Sequence, residues 1–314
     1  MSTIKIFTKL SNLLFVAAIL LGLFLPQAAP VAFVLILPAL MITLTVTLLR
    51  FPPGFFKKPR ILLTGALWGN LMSYLVLGNL IILGSIFLIR DENLWIGLVL
   101  IAAVPPAVVI LSLSEKLQGD KMLTLTGFAG TYLGALILIP LIGVAFFKFI
   151  PIHYDKLIIL AVILIGLPLI LSRIAVDRNW DMWIERYEGN ISDGCFFVLF
   201  YVLAAYNRHL IGQWNSEIIL IAILAFATIF LITLALLLIS RFYKIPHSTV
   251  SSFLLLGTMK NYGLAGGIAL YVFNNEAAAP ALIFSVFMFL NSIWLQLRAR
   301  NYAPSSASER TPPA

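Results

Sequence analysis

Long apolar runs constrain this chain more than any other feature. Leu10 to Leu25, Val31 to Leu49 and Ile61 to Ile89 are the first three. In hydrocarbon no water bonds a free N–H or C=O, so such runs form helices whose backbones bond internally. The charge supply agrees. Of 314 residues, 61% are hydrophobic and 11% charged, too few to coat a soluble domain of this size. The fold class expected is an all-α polytopic membrane protein.

Ten spans are predicted, at 10–25, 31–49, 61–84, 93–117, 121–147, 154–173, 190–207, 215–240, 249–273 and 277–298. Lys5 and Lys9 precede the first run as in a signal peptide, but Pro30 follows Ala28 and Ala29 at the cleavage position, so a retained helix is expected. Residues 177–188 hold Trp180, Trp183 and Tyr187 among charges and read as an interfacial segment. The Ser- and Pro-rich stretch 301–314 reads as a disordered cytoplasmic tail.

The basic residues test this topology. With the N-terminus in the cytoplasm, 16 of the 21 Lys and Arg fall in cytoplasmic segments and 4 in outer ones, and Lys260 alone falls inside a span. That is the positive-inside pattern, with both termini cytoplasmic. It accounts for the net charge of +8 without nucleic acid. A bacterial-type plasma membrane is expected. Cys195, the single cysteine, reads as a small buried hydrophobe.

Ten spans divide near residue 150 into two groups of five, 1–150 and 151–300. An odd number per group makes the second enter from the opposite side, as an inverted repeat requires. The spans of matching rank share an anomaly. The fourth carries Pro105-Pro106 at its middle, which removes two backbone donors. The ninth carries Gly257-Thr258-Met259-Lys260-Asn261-Tyr262-Gly263. Both helices are expected to be discontinuous and to cross at the midplane. A broken helix exposes carbonyls at one end and N–H groups at the next, and these hold ions and solutes in many transporters.

Lys260 is the most telling residue, since a lysine at that depth costs about 2.5–3.5 kcal/mol. Of the 13 acids none lies deep in a span; Glu115, Asp120 and Asp193 come closest, at cytoplasmic span ends. Helix-end carbonyls or an anionic substrate are the partners left for an ammonium, and a neutral amine is the alternative that burial allows. Asn70, Asn79, Thr126, Thr131, Asn291 and Ser292 are read as helix–helix hydrogen-bonding groups, and the small-xxx-small pairs Gly65/Gly69 and Gly130/Gly134 as packing sites.

At these residues the chain resembles the bile acid:sodium symporter family. Gly97-Leu98-Val99-Leu100-Ile101-Ala102-Ala103-Val104-Pro105-Pro106, running on to Gly119-Asp120, resembles that family's GLVLLAACPGG…GN stretch. Met259-Lys260-Asn261-Tyr262-Gly263-Leu264-Ala265 resembles its ninth-helix MQNxGLA. The resemblance implies a carrier of organic anions in which panel helices 1, 2, 6 and 7 move against core helices 3–5 and 8–10. It implies that Asn261 and Asn291 line the substrate cavity; with Lys260, Tyr262, Pro105 and Pro106 of the two interruptions they make the expected substrate site. The family's sodium ligands are replaced: Ile110 and Leu111 follow the prolines, Leu256 stands for a glutamate and Lys260 for a glutamine, while Thr124 keeps a hydroxyl. These losses argue against sodium coupling. The ion-site region is then Lys260, as a sodium surrogate, with Thr124 and Thr258. No other cofactor is implied.

His153, His209 and His247 lie near span ends, and no His cluster or paired acid sits within the membrane. Metal hydrolysis therefore lacks its parts, and no enzyme is expected. A sensor or scaffold with a carrier-like fold is the alternative, and solute flux separates the two.

Overall fold

The computed structural model describes residues 2–52, 55, 59–147, 154–213 and 215–302. The first half holds α1 (Ser2–Phe24), α2 (Ala29–Phe33), α3 (Ile36–Leu48), α4 (Pro59–Asn70), α5 (Asn79–Leu88), α6 (Glu92–Ala103), α7 (Ile110–Lys116) and α8 (Lys121–Phe147). The second holds α9 (Tyr154–Ala161), α10 (Leu167–Asp177), α11 (Asp181–Ile184), α12 (Glu188–Gln213), α13 (Ser216–Phe242), α14 (His247–Thr258), α15 (Tyr262–Val272) and α16 (Asn275–Tyr302). Wider π-helical turns join α4 to α5 at Leu71–Gly78 and α9 to α10 at Val162–Gly166. No strand occurs among the described residues; one isolated bridge joins Pro106 and Lys260. Of the expected tail, Asn301 and Tyr302 finish α16, and 303–314 lie outside the described residues.

Six helices are long and apolar enough to cross a membrane: Leu62–Leu88, Lys121–Phe146, Lys156–Asp177, Glu188–Gln213, Ser216–Phe242 and Asn275–Ala299. A seventh candidate is the pair Ser11–Phe24 and Pro26–Phe33, bent by 88°. This is an all-α integral membrane protein.

The other apolar runs are built from shorter pieces, Ile36–Leu48, Glu92–Ala103 and Tyr262–Val272 among them. Proline explains the first. The run 31–49 is divided at Val34–Leu35, four residues ahead of Pro38, whose missing N–H leaves the Val34 carbonyl without its helical donor. The chain tightens there, with Leu35 N bonded to Ala32 O at 3.0 Å, before α3 begins.

Two sets of helices pack internally. In one, α1 and α3 lie on α12, and α10 lies on α3; in the other, α4 lies on α8, α6 and α15 on α16, and α13 on α14 and α16. Contact between α12 and α16 joins them.

Most hydroxyls and amides in the spans serve their own helix. Thr126 bonds Met122 O at 2.7 Å, Thr131 bonds Phe128 O at 2.7 Å, Asn79 bonds Leu75 O at 2.9 Å and Ser292 bonds Phe289 O at 2.7 Å. The expected helix–helix role fails for these four because the preceding turn offers a nearer acceptor. Asn70 does both, donating to Ala66 O at 2.7 Å and across to Gly130 O at 3.2 Å.

That amide marks where α4 and α8 touch backbone to backbone. A Cβ on Gly69 would stand 2.5 Å from Gly127 O and 2.8 Å from Gly127 Cα. Gly69→Val forces these helices apart and is expected to destabilise the protein by about 1–3 kcal/mol, the usual range for overpacking. Thermal unfolding in detergent measures it, and an unchanged midpoint refutes this account of the crossing.

Candidate functional site

The first interruption follows from Pro105 and Pro106. Pro105 forces the residue before it into an extended conformation, and Val104 sits at φ −75°, ψ 152°. Pro106 has no N–H for the carbonyl four residues back, that of Ala102. The chain runs open from Val104 until α7 begins at Ile110.

The second interruption is only three residues long. Met259 is extended at φ −119°, ψ 101°, and Asn261 sits at φ −79°, ψ 75°. With Tyr262 N bonded to Lys260 O at 2.9 Å, this is an inverse γ-turn. The Asn261 side chain then caps α15, its Oδ1 accepting from Leu264 N at 3.0 Å.

The two open segments bond to each other. Asn261 N donates to Pro105 O at 2.8 Å and Ala107 N donates to Met259 O at 3.0 Å, an antiparallel pairing centred on Pro106 and Lys260. Tyr132 of α8 ties both: its hydroxyl donates to Pro106 O at 3.1 Å and accepts from Asn261 Nδ2 at 3.0 Å.

Lys260 is fully buried, and its Nζ donates to Ala102 O at 2.7 Å and Val104 O at 2.8 Å. The Lys260 Nζ therefore takes the carbonyl that Pro106 deprived of its donor, at the negative end of α6. Its remaining face meets the Tyr74 ring, 4.3 Å from the centroid. Tyr74 belongs to the π-helical turns, and its hydroxyl donates to Thr131 O at 2.9 Å.

A cavity of about 360 Å³ ends on this pairing. Met259, Lys260, Asn261 and Tyr262 form one end; Ala107, Val109, Ser112 and Lys116 carry the wall along α7 to its last residue. Phe15, Phe200 and Phe289 line the apolar middle. Arg50, Glu188 and Asp193 stand with Lys116 at the other end. The Arg50 Nε donates to both Glu188 carboxylate oxygens, at 2.7 and 2.9 Å, and Nη2 donates to Ser112 Oγ at 3.1 Å. Arg50 and Glu188 also wall a second crevice of about 450 Å³, which contains Ser114 and Thr124.

The expected site residues divide accordingly. Lys260, Asn261 and Tyr262 reach the cavity, Tyr262 packing its ring 5.7 Å from that of Phe284. Pro105 and Pro106 lie behind the surface, because the chain turns their carbonyls toward Asn261 and Tyr132. Asn291 is a correction. It is fully buried outside the cavity wall, donating to Thr258 Oγ1 at 3.3 Å and accepting from Thr233 Oγ1 at 3.4 Å. It ties α16 to α14 and α13 through Thr258 and Thr233. Thr124 is the other. Its hydroxyl sits 2.9 Å from those of Ser114 and Ser252 and bonds Asp120 O, a cluster that shares no hydrogen bond with Lys260.

Comparison with protein-family models and with curated protein sequences found no match.

Tyr74, Tyr132 and the Arg50–Glu188 pair were not anticipated. The tyrosines carried a signal, as polar-tipped rings inside apolar runs. The ion pair joins residues 138 apart in sequence, which no local pattern encodes. Tyr132→Phe tests the junction. It leaves the Asn261 amide and the Pro106 carbonyl each short of a partner and should destabilise the protein by about 1–3 kcal/mol. Thermal unfolding reads this directly; a neutral substitution means that Tyr132 is only a packing residue.

Proposed function

We propose that this chain is a secondary transporter that moves a small organic solute across the membrane by alternating access. The observation that carries this reading is a cavity that ends on two paired helix interruptions. Open backbone at membrane depth is tolerated where it is buried in protein or lines a cavity, and transporters use such breaks to hold solutes and ions.

On this reading the chain makes ten spans in two inverted five-helix repeats. The breaks belong to the fourth and ninth spans and cross near the midplane. The helices of spans one, two, six and seven pack as one set and most of the others as a second, and the cavity lies between α1 and α12 on one side and α7, α15 and α16 on the other. That division supports a panel that rocks against a core. The distribution of Lys and Arg supports cytoplasmic termini and a cytoplasmic Lys116 end of the cavity, and the membrane proposed is a bacterial-type plasma membrane. The resemblance to the bile acid:sodium symporter family supports the same conclusion.

Sodium coupling is not part of this proposal. Sodium needs several oxygen ligands, and the carbonyls of Ala102 and Val104 are held by Lys260. Ile110, Leu111 and Leu256 add no side-chain oxygen. Lys260 thus serves as a tethered cation. Its ammonium is saturated by carbonyls and an aromatic face, so the solute's charge is met elsewhere in the cavity.

Uptake into proteoliposomes tests the reading. A panel of labelled organic acids and amino acids should include a solute taken up at the same rate in sodium, potassium or N-methylglucamine medium. Lys260→Ala strips two buried carbonyls of their donor and should cut that uptake by about tenfold or more. Absence of flux across the panel favours a sensor or scaffold; sodium-dependent flux overturns the role given to Lys260.

A further inference from the structure

The charged groups around the cavity do not all stand free. Arg50 and Glu188 neutralise each other, and the guanidinium is further held by Ser112. The Lys260 ammonium is consumed by carbonyls. Two charges remain, Lys116 from α7 and Asp193 from α12, and both line the cavity. Among the described residues Lys116 makes no ion pair. Asp193 accepts from Ser11 Oγ through Oδ2 at 2.7 Å, and no hydrogen bond among the described residues engages its Oδ1. Each lies close enough to feel the other's charge, yet they do not form an ion pair.

Beside them the wall is aromatic. The Phe15 ring stacks on Phe289 at 4.5 Å and meets Phe200 edge-on at 4.8 Å. The cavity thus offers one cation, one anion and an apolar surface.

We propose that this cavity binds an amphipathic zwitterion, a solute with one ammonium and one carboxylate beside a large apolar group, as in an amino acid with an aromatic or branched side chain. This rests on the transport reading only for the claim that the solute then crosses the membrane. The charge argument is independent of it. Lys116 is exposed and Asp193 half-buried on the cavity wall, and each is stabilised by an opposite charge on the solute. A monoanion pairs with Lys116 and repels Asp193; a monocation does the reverse. A zwitterion satisfies both, and the mismatched charge excludes the others.

The probes are L-phenylalanine, its N-acetyl derivative (an anion) and its methyl ester (a cation), with the same three forms of leucine and tryptophan. Ligand-induced shifts in thermal unfolding of the purified full chain read binding without requiring flux. At least one free amino acid should bind about tenfold or more tightly than its anionic and cationic derivatives, because each derivative meets one like charge. Asp193→Asn should move the preference to the N-acetyl form, and Lys116→Gln to the ester. Asp193→Glu and Lys116→Arg should restore the parental order, which separates charge recognition from a folding defect. The proposal is overturned if no free amino acid binds, if a singly charged form binds as well as its parent in the wild type, or if the charge-removing variants keep the parental order. Counterflow in proteoliposomes separates the two readings. Saturable amino-acid binding without flux removes the transporter and leaves the ligand class; flux of a monoanion alone does the opposite.

Discussion

A lysine side chain closing the open end of a buried helix is the interaction on which this architecture depends. Pro105 and Pro106 end α6 at Ala103, and the break leaves carbonyls that cannot turn to water. Lys260 reaches two of them, Asn261 N takes a third and the Tyr132 hydroxyl a fourth. Remove any one donor and a buried acceptor stands alone. The same logic recurs at the end of α3, where Arg173 donates to Leu48 O and Phe51 O. In both places a cation from a distant part of the chain completes a helix terminus that its own sequence leaves open.

The two breaks are solved differently. The carbonyl end of α6 is met by a long side chain reaching in from the other break. The N–H end of α15 is met by its own first residue, through the short side chain of Asn261. That difference matches the chemistry of the groups. A carbonyl end carries partial negative charge and favours a cation, while N–H groups need only a nearby oxygen. One dipeptide, Lys260-Asn261, therefore serves both helix ends, and together with Met259 and Tyr262 it forms the end of the cavity.

Much of this was legible in the sequence, because it is local or compositional. The apolar runs disclosed a helical membrane protein, tandem prolines disclosed the first break, and a lysine and asparagine between glycines disclosed the second. What escaped notice was long-range or depended on the register of a turn. The break ahead of Pro38 was missed because one proline within an apolar run reads equally as a kink. Asn291 was assigned to the site by the family resemblance of the last helix, yet its amide faces Thr258 and Thr233. Tyr74 meets the ammonium from within π-helical turns, and a pattern of 3.6 residues does not register their shifted face. The Arg50–Glu188 partition needs α3 and α12 side by side, which is a property of the fold.

A tethered cation has one consequence that a dissolved ion lacks. A coupling ion enters and leaves in every cycle, and its gradient supplies the energy for uphill transport. Lys260 stays bonded to the chain, so it neutralises the helix end without carrying energy across the membrane. On the transporter reading, the resting junction is then complete before any solute arrives, and the affinity of the cavity does not wait on an ion. Flux follows the solute's own electrochemical gradient, unless a second species shares the cavity. A zwitterion carries no net charge, so the membrane potential exerts little pull on it. On that same reading the direction of movement falls to concentration alone, and the rocking of panel against core sets only the rate.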